Sequence, residues 1–218
     1  MPIQSVSEDR RPTRRSILAF GVSAVIAATL PLPKAFAESA PAWLDALRRG
    51  ELVVYFRHAA TTWSGVDRIE WPRERQRLLS DKGIAQSEQI GASFSRLGLP
   101  VGDVLASPFA RCRDMAEIAF GRVDEHMELI GLLSDSVGRA ERVAFLRSQV
   151  SLPTAGSGNR IIVSHRSNIA NVAGASLGEG DAVLLRPKGG NAFDVVATLT
   201  PEDWVDLANA NAKASLGQ

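Results

Sequence analysis

This chain of 218 residues has one cysteine, Cys112, three histidines and one tyrosine, and only 6% of its residues are aromatic. A lone cysteine excludes an internal disulfide. No Cys-x-x-Cys pair or His-rich spacing offers the ligands of a metal site, so neither a metal nor another cofactor is expected. Internal repeats and low-complexity tracts are missing as well, which excludes a solenoid or a biased, unstructured chain. What remains, 45% apolar and 22% charged residues, is the composition of an ordinary globular protein, long enough for one sizeable domain and short for two.

An excess of basic charge is also missing once the first segment is set apart. The stretch RRPTRRSILAFGVSAVIAATLPLPKAFAESA has a basic start, an uncharged run from Ser16 to Pro33 and small residues before a break. That is the pattern of a signal peptide, and the adjacent Arg14 and Arg15 before the apolar run resemble a twin-arginine export signal. Ala35 to Ala37 supplies a small-x-small cleavage site, so residues 1–37 are expected to be removed and residues 38–218 to form the mature domain. The uncharged run is at the short end for a membrane span, and Pro31 and Pro33 favour cleavage over an anchor. Removing residues 1–37 takes five basic and two acidic side chains, leaving 20 basic against 22 acidic. No general case for binding nucleic acid or an anionic membrane survives that balance.

Along the mature chain, strands and helices alternate. APAWLDALRRG suits a short amphipathic helix, and ELVVYF is a buried strand by length and β-branched content. Ser80 to Leu97 opens on a capping serine and puts Ile90, Phe94 and Leu97 on one helical face. Val104 to Ala106 reads as a short strand, followed by a helix with Pro108 at its first position. MELIGLL suggests a short edge strand, RAERVAFLRSQV a helix, and NRIIVSH a strand ending on Ser164 and His165. SNIANVAGASLG suits a helix ending at Gly178, and AVLLRPKGGNAFDVVATL a hairpin turning near Gly189 and Gly190. The expected fold is therefore α/β, a three-layer α/β/α sandwich around a mostly parallel sheet.

In such a sheet, ligands bind beyond the carboxyl ends of the strands, which gathers Arg57-His58, Ser107 with Arg111, and Ser164-His165 in one neighbourhood. Arginine offers a planar fork of donors that fits phosphoryl oxygens and stays charged at any working pH, and a helix starting at Pro108 would point free amides at the same anion. Nearby positive charge disfavours a protonated imidazole, leaving His58 a lone pair for attack.

The segment RHAATTWS resembles the first motif of the histidine phosphatase superfamily, RHGETxWN, matching at Arg57, His58, Thr61 and Trp63, with Ala59, Ala60 and Ser64 as departures. SPFARCRDMA is similar to its second motif, SPLxRAxxTA, at Ser107, Pro108, Arg111 and Ala116. IIVSHRSNI supplies the third, a Ser-His after an apolar strand, giving His165. Three motifs in order, over roughly Glu51 to Leu199, are far more specific than one. The resemblance implies a phosphoglycerate-mutase-like fold in which His58 is phosphorylated, Arg57, Arg111 and His165 hold the phosphoryl group, Thr61 and Ser64 help bind substrate, and water releases phosphate without a metal. It also implies an acid for the leaving oxygen. Arg166 stands where some members carry an Asp, so Glu128 is the first candidate, with Asp135 and Glu179 behind it.

The sequence thus points to an exported, periplasmic or similarly placed phosphomonoesterase, with a small phosphorylated substrate and the twin-arginine export machinery as partners. No nucleic acid is expected to bind, and the mature form is not embedded in a membrane. Ala60 and the missing acid disfavour a mutase. The alternatives are a phosphate-binding module of the same fold with weak or no turnover, and a phosphohistidine-protein phosphatase. Arg68, Arg73, Arg75 and Arg77, with Trp63 and Trp71, form an excursion that reads either as a lid for an anionic substrate or as a solvated loop. Cys112 reads as a small buried hydrophobe and His126 as a surface residue.

Overall fold

Alternation of side chains along the central strands explains the layering. In the computed structural model, which describes residues 40–133, 137–154, 156 and 158–216, strand β1 (Val53–Arg57) sends Val54 and Phe56 to one face and Val53 and Tyr55 to the other, all fully buried. A strand apolar on both sides belongs in the middle of a sheet covered twice. The six-stranded order is β3-β2-β4-β1-β5-β6, with β2 (Val101–Ala106), β3 (Asp124–Glu125), β4 (Asn159–Ser164), β5 (Ala182–Gly189) and β6 (Ala192–Leu199). β3, β2, β4 and β1 are parallel, while β5 and β6 close one edge as an antiparallel pair. The hairpin turns at Gly190-Asn191, both at positive φ, the conformation a tight two-residue turn requires.

Helices α1 (Ala40–Arg48), α2 (Asp81–Leu97), α3 (Ala110–Phe120) and α6 (Pro201–Leu216) pack on the Val54/Phe56 face. Phe56, Phe94 and Trp204 meet there, the last two with ring centroids 4.9 Å apart. Burying one such aromatic ring contributes about 1.5–3 kcal/mol. Helices α4 (Arg139–Ser151) and α5 (Arg166–Ala173) cover the opposite face, around Leu146, Val150, Ile162, Ile169 and Val172. The fold is a three-layer α/β/α sandwich with a mostly parallel sheet, as the alternation of patterns implied.

Local differences from the sequence reading have local causes. β2 starts at Val101, and the pairing continues past it, Ser107 N–H donating to Val163 O, so the chain is still extended at Phe109 and α3 begins at Ala110, not Pro108. MELIGLL is not a strand. Met127–Leu129 is a 3₁₀ turn tied to the end of β4 and to α5, Leu129 O accepting from Ser164 Oγ and Asn168 Nδ2, and the edge strand is the preceding Asp124–Glu125 pair. α5 stops at Gly174, which takes the left-handed cap four residues before Gly178.

Two contacts seat the loop after β1. Ser80 caps α2, its Oγ accepting from Gly83 N–H, and Gly83 lies so close to Ala60 O that a β-carbon there would collide. Gln86 Oε1 accepts from Ala60 N–H. The first turns of α2 thereby fix the residues that follow His58. Residues 1–37, with the export-signal reading, and Asp135 lie outside the described residues. Among the described residues, no helix is long and apolar enough to cross a membrane.

Candidate active site

The carboxyl ends of β1, β2 and β4 stand side by side, and His58 leaves the first of them. Its backbone N–H donates to Ser164 O and its carbonyl accepts from Gly180 N–H, so the residue is held between β4 and the start of β5. The imidazole is 3% exposed, with Nδ1 2.9 Å from Ala59 O. A carbonyl can only accept, so Nδ1 carries the proton and Nε2 presents a bare lone pair. Burial, and then the Arg111 charge, hold His58 well below the ordinary histidine range. The sequence argument placed the cationic neighbours first; desolvation is the larger cause.

His165 follows β4 and is equally constrained. Tyr55 Oη donates to its carbonyl at 2.7 Å, and Arg111 Nη2 lies 3.3 Å from Nδ1, which must therefore accept. Nε2 then donates to Ser107 Oγ, 2.9 Å away. The ring meets Phe109 edge-on and lies 5.7 Å, centroid to centroid, from His58. Burial and Arg111 push His165 down as well, so both imidazoles are neutral.

Arg111 reaches the pocket from the first turn of α3. Its guanidinium stacks over Phe109 at 4.5 Å, Nη1 donates to Asp67 Oδ2 at 2.7 Å, and buried Nε has no partner. Arg57 donates through Nη1 to Leu177 O and through Nη2 to Glu179. Together with Arg77 and Arg166, these residues line a recess of about 410 Å³ holding four guanidinium groups and the Asp67 carboxylate. That balance favours an anion with several acceptor oxygens. Among the described residues, no group of three or more His, Cys, Asp or Glu side chains is placed to hold a metal ion. A larger recess of about 660 Å³ lies along the outer side of β2, where Arg122 donates to Val101 O and Gly102 O; it contains neither His58 nor His165.

The sequence reading thus assembled Arg57, His58, Arg111 and His165 at one pocket, whereas Thr61, Ser64, Glu128 and Glu179 are not among the residues that line it. Ser64 is exposed and outside the pocket lining. Thr61 acts through a neighbour, its Oγ1 accepting from Arg77 Nη2 at 2.6 Å. Glu128 is exposed on the 3₁₀ turn with its carboxylate 3.9 Å from His126, away from the recess. Glu179 pairs with Arg57 and Arg77 outside the lining. Three of the first α3 amides, expected to be free for an anion, are taken: Ala110 N–H donates to Gln76 Oε1, and Cys112 N–H and Arg113 N–H to Phe109 O. Cys112 is fully buried, and burial pushes its thiol up to about 12, consistent with an inert packing role.

The arginine-rich excursion is docked on α3. Arg73 makes a bidentate pair with Asp114, Arg75 stacks on Trp71, and Gln76 is buried. Two of its residues, Arg77 and Asp67, turn into the recess. Sequence pattern missed Asp67 and offered Arg77 only as one arginine of a lid-or-loop stretch, because the excursion has no period from which to read an inward face.

Residues 53–153, from β1 through the end of α4, match the histidine phosphatase superfamily (branch 1). No curated protein sequence matches the chain significantly. Among solved structures, the chain is similar to the protein histidine phosphatase SixA complexed with tungstate (TM-score 0.53, 15% identity, covering 70% of this chain and 98% of that one). It is similar also to the Rv3214 protein of Mycobacterium tuberculosis (0.52, 20%, 70% and 100%). A third is phosphoserine phosphatase from Entamoeba histolytica in complex with 3-phosphoglyceric acid (0.51, 14%, 68% and 96%). At these identities the likeness is one of fold.

Proposed function

We propose that this chain, histidine phosphatase-like over residues 53–153, is an exported phosphomonoesterase that works through a phosphohistidine at His58. The observation that carries the reading is the contact of His58 Nδ1 with Ala59 O in a residue that lines the arginine-rich recess: a carbonyl must accept, so Nδ1 holds the proton and Nε2 is left as the nucleophile. Arg57 and Arg111 clamp the phosphoryl group and offset the charge that builds on its oxygens in the transition state, with His165 positioning Arg111 through Nδ1. Nε2 attacks phosphorus, the alcohol leaves, and water then releases phosphate from the nitrogen. Arg77 belongs to the same clamp, steadied by Thr61 and Glu179.

Phosphate release from p-nitrophenyl phosphate by residues 38–218 tests the activity, and acid-quench trapping tests the intermediate. The expected result is turnover with an acid-labile phosphoenzyme, both lost in His58→Ala. If wild type and His58→Ala both bind phosphate and neither releases it from the ester, the chain is a binding module. Export rests on the N-terminal sequence. Fractionation should find a mature chain starting near Glu38 outside the cytoplasm, and Arg14→Lys with Arg15→Lys should retain the precursor inside; an unprocessed cytoplasmic wild type would overturn this part.

A further inference from the structure

The recess contains a carboxylate that no motif announces. Asp67 is 2% exposed and lines the same pocket as Arg57, His58 and Arg111. Both hydrogen bonds it accepts fall on Oδ2, from Arg111 Nη1 at 2.7 Å and from Arg77 N–H at 2.9 Å, so Oδ1 keeps its lone pairs for whatever enters. A buried anion inside an anion site calls for a reason, since desolvating it is costly and it competes for the arginine that should hold substrate. Of the other acids, Glu179 is held in ion pairs by Arg57 and Arg77, and Glu128 faces His126.

We propose that Asp67 is the proton shuttle of the reaction, acid to the leaving alcohol and then base to the hydrolytic water. The inference rests on the phosphatase reading above. A phosphate monoester has its second ionisation near pH ~6, so part of it enters carrying one proton. When the phosphoryl oxygens settle on Arg57 and Arg111, that proton passes to Asp67. Nε2 of His58 forms a bond to phosphorus, the phosphorus–oxygen bond breaks with its electron pair going to the alcohol oxygen, and Asp67 delivers the proton there. Water oxygen next attacks phosphorus while the Asp67 carboxylate takes one of its protons. The phosphorus–nitrogen bond breaks, its pair returning to Nε2. Asp67 finally hands the proton to the departing phosphate. One ester and one water have become one alcohol and one phosphate.

If Asp67 merely positioned Arg111, it would matter equally for every ester, because every ester brings the same phosphoryl group. The leaving group separates the two roles. We would compare Asp67→Asn, whose amide oxygen can still accept from Arg111, with wild type on p-nitrophenyl phosphate, whose phenolate needs no proton, and on glycerol phosphate, whose alkoxide does. The variant should stay within about 10-fold of wild type on the aryl ester's phosphorylation step and fall about 100-fold or more on the alkyl ester. Asp67→Glu should recover part of the alkyl activity. Taking the ratio of the two esters on one preparation cancels any misfolded fraction. Equal losses on both esters overturn the shuttle in favour of positioning, and an alkyl activity that survives in Asp67→Asn, or a wild type confined to aryl esters, overturns it outright. A wild type that turns over neither ester and traps no phosphoenzyme instead removes the phosphatase reading itself, before any variant is considered.

Discussion

The two ends of strand β4 bury polar side chains in opposite ways. At its amino end, Asn159 is fully buried and closed: Oδ1 accepts from Leu52 N–H, and Nδ2 donates to Leu47 O and Pro100 O. One amide thereby ties the end of α1 and the approaches to β1 and β2 together. At its carboxyl end, beside His165, His58 keeps a lone pair. A closed polar cluster stabilises a fold; an open one costs stability and is retained for what it binds. The same strand therefore serves as an anchor at one end and as the wall of a reactive pocket at the other.

That contrast breaks most visibly in a crossed pair of substitutions. His58→Ala should lower kcat by a factor on the order of 10⁴, as loss of a nucleophile does. Its melting temperature should shift by less than about 4 °C, because the vacated space opens into a pocket that water can fill. Asn159→Ala should do the reverse, leaving kcat unchanged while stranding the buried Leu52 N–H and taking one of two donors from Leu47 O and Pro100 O, which keep Gly50 N–H and the backbone N–H of residue 159, at a cost of about 3 kcal/mol. In a domain of this size that is a fall of about 6–12 °C. Thermal melts and steady-state kinetics on both variants check the pair, and a stable Asn159→Ala would end the argument that the amino end is an anchor. A smaller effect sharpens the pocket side. Arg77→Gln should raise KM for p-nitrophenyl phosphate about 10-fold, in keeping with the loss of one charged hydrogen bond to substrate, with a lesser change in kcat. An unaltered KM would remove Arg77 from the clamp.

The same contrast explains what could be read from sequence. Arg57, His58, Arg111 and His165 sit where a parallel strand ends or a helix begins, so pattern alone located them once the strands were recognised. Asp67 and Arg77 belong to a stretch with no period, and only its docking on α3, through Arg73 to Asp114 and Gln76 to Ala110, turns them inward. The same kind of long-range tether misled the local reading of MELIGLL, whose apolar residues suggest a strand until Ser164 and Asn168 take its carbonyls. Helix α6 starts on a local signal. Thr200 Oγ1 accepts from Asp203 N–H and Asp203 Oδ2 from Thr200 N–H, a reciprocal cap followed by Pro201 in the first helical position. The mostly parallel sheet was accessible because β1 and β4 are apolar on both faces, a pattern that only a central strand displays.

The mildest test concerns protons. Burial first, and the Arg111 charge second, hold His58 and His165 well below the ordinary value of about 6.5, whereas the unfolded chain titrates near that value. Above pH ~7 both states carry neutral imidazoles, and the pair contributes nothing to the pH dependence. As pH falls through about 6.5, the unfolded chain takes up protons that the folded one refuses, so stability falls by at most about 1.4 kcal/mol per pH unit for each histidine. The loss continues until the lowered folded values are reached. Because His58 is held below its ordinary value, it stays neutral and nucleophilic to lower pH than a free histidine, so activity on p-nitrophenyl phosphate should outlast stability as the solution is acidified. Denaturant titrations between pH 7 and about 5 should give wild type a steeper slope than His58→Ala, which has lost one of the two refused protons. Asn159→Ala should lower the whole curve without changing its slope. Identical slopes for wild type and His58→Ala would mean that His58 is free to charge in the folded state, and the open end of β4 would then differ from the closed end in shape alone.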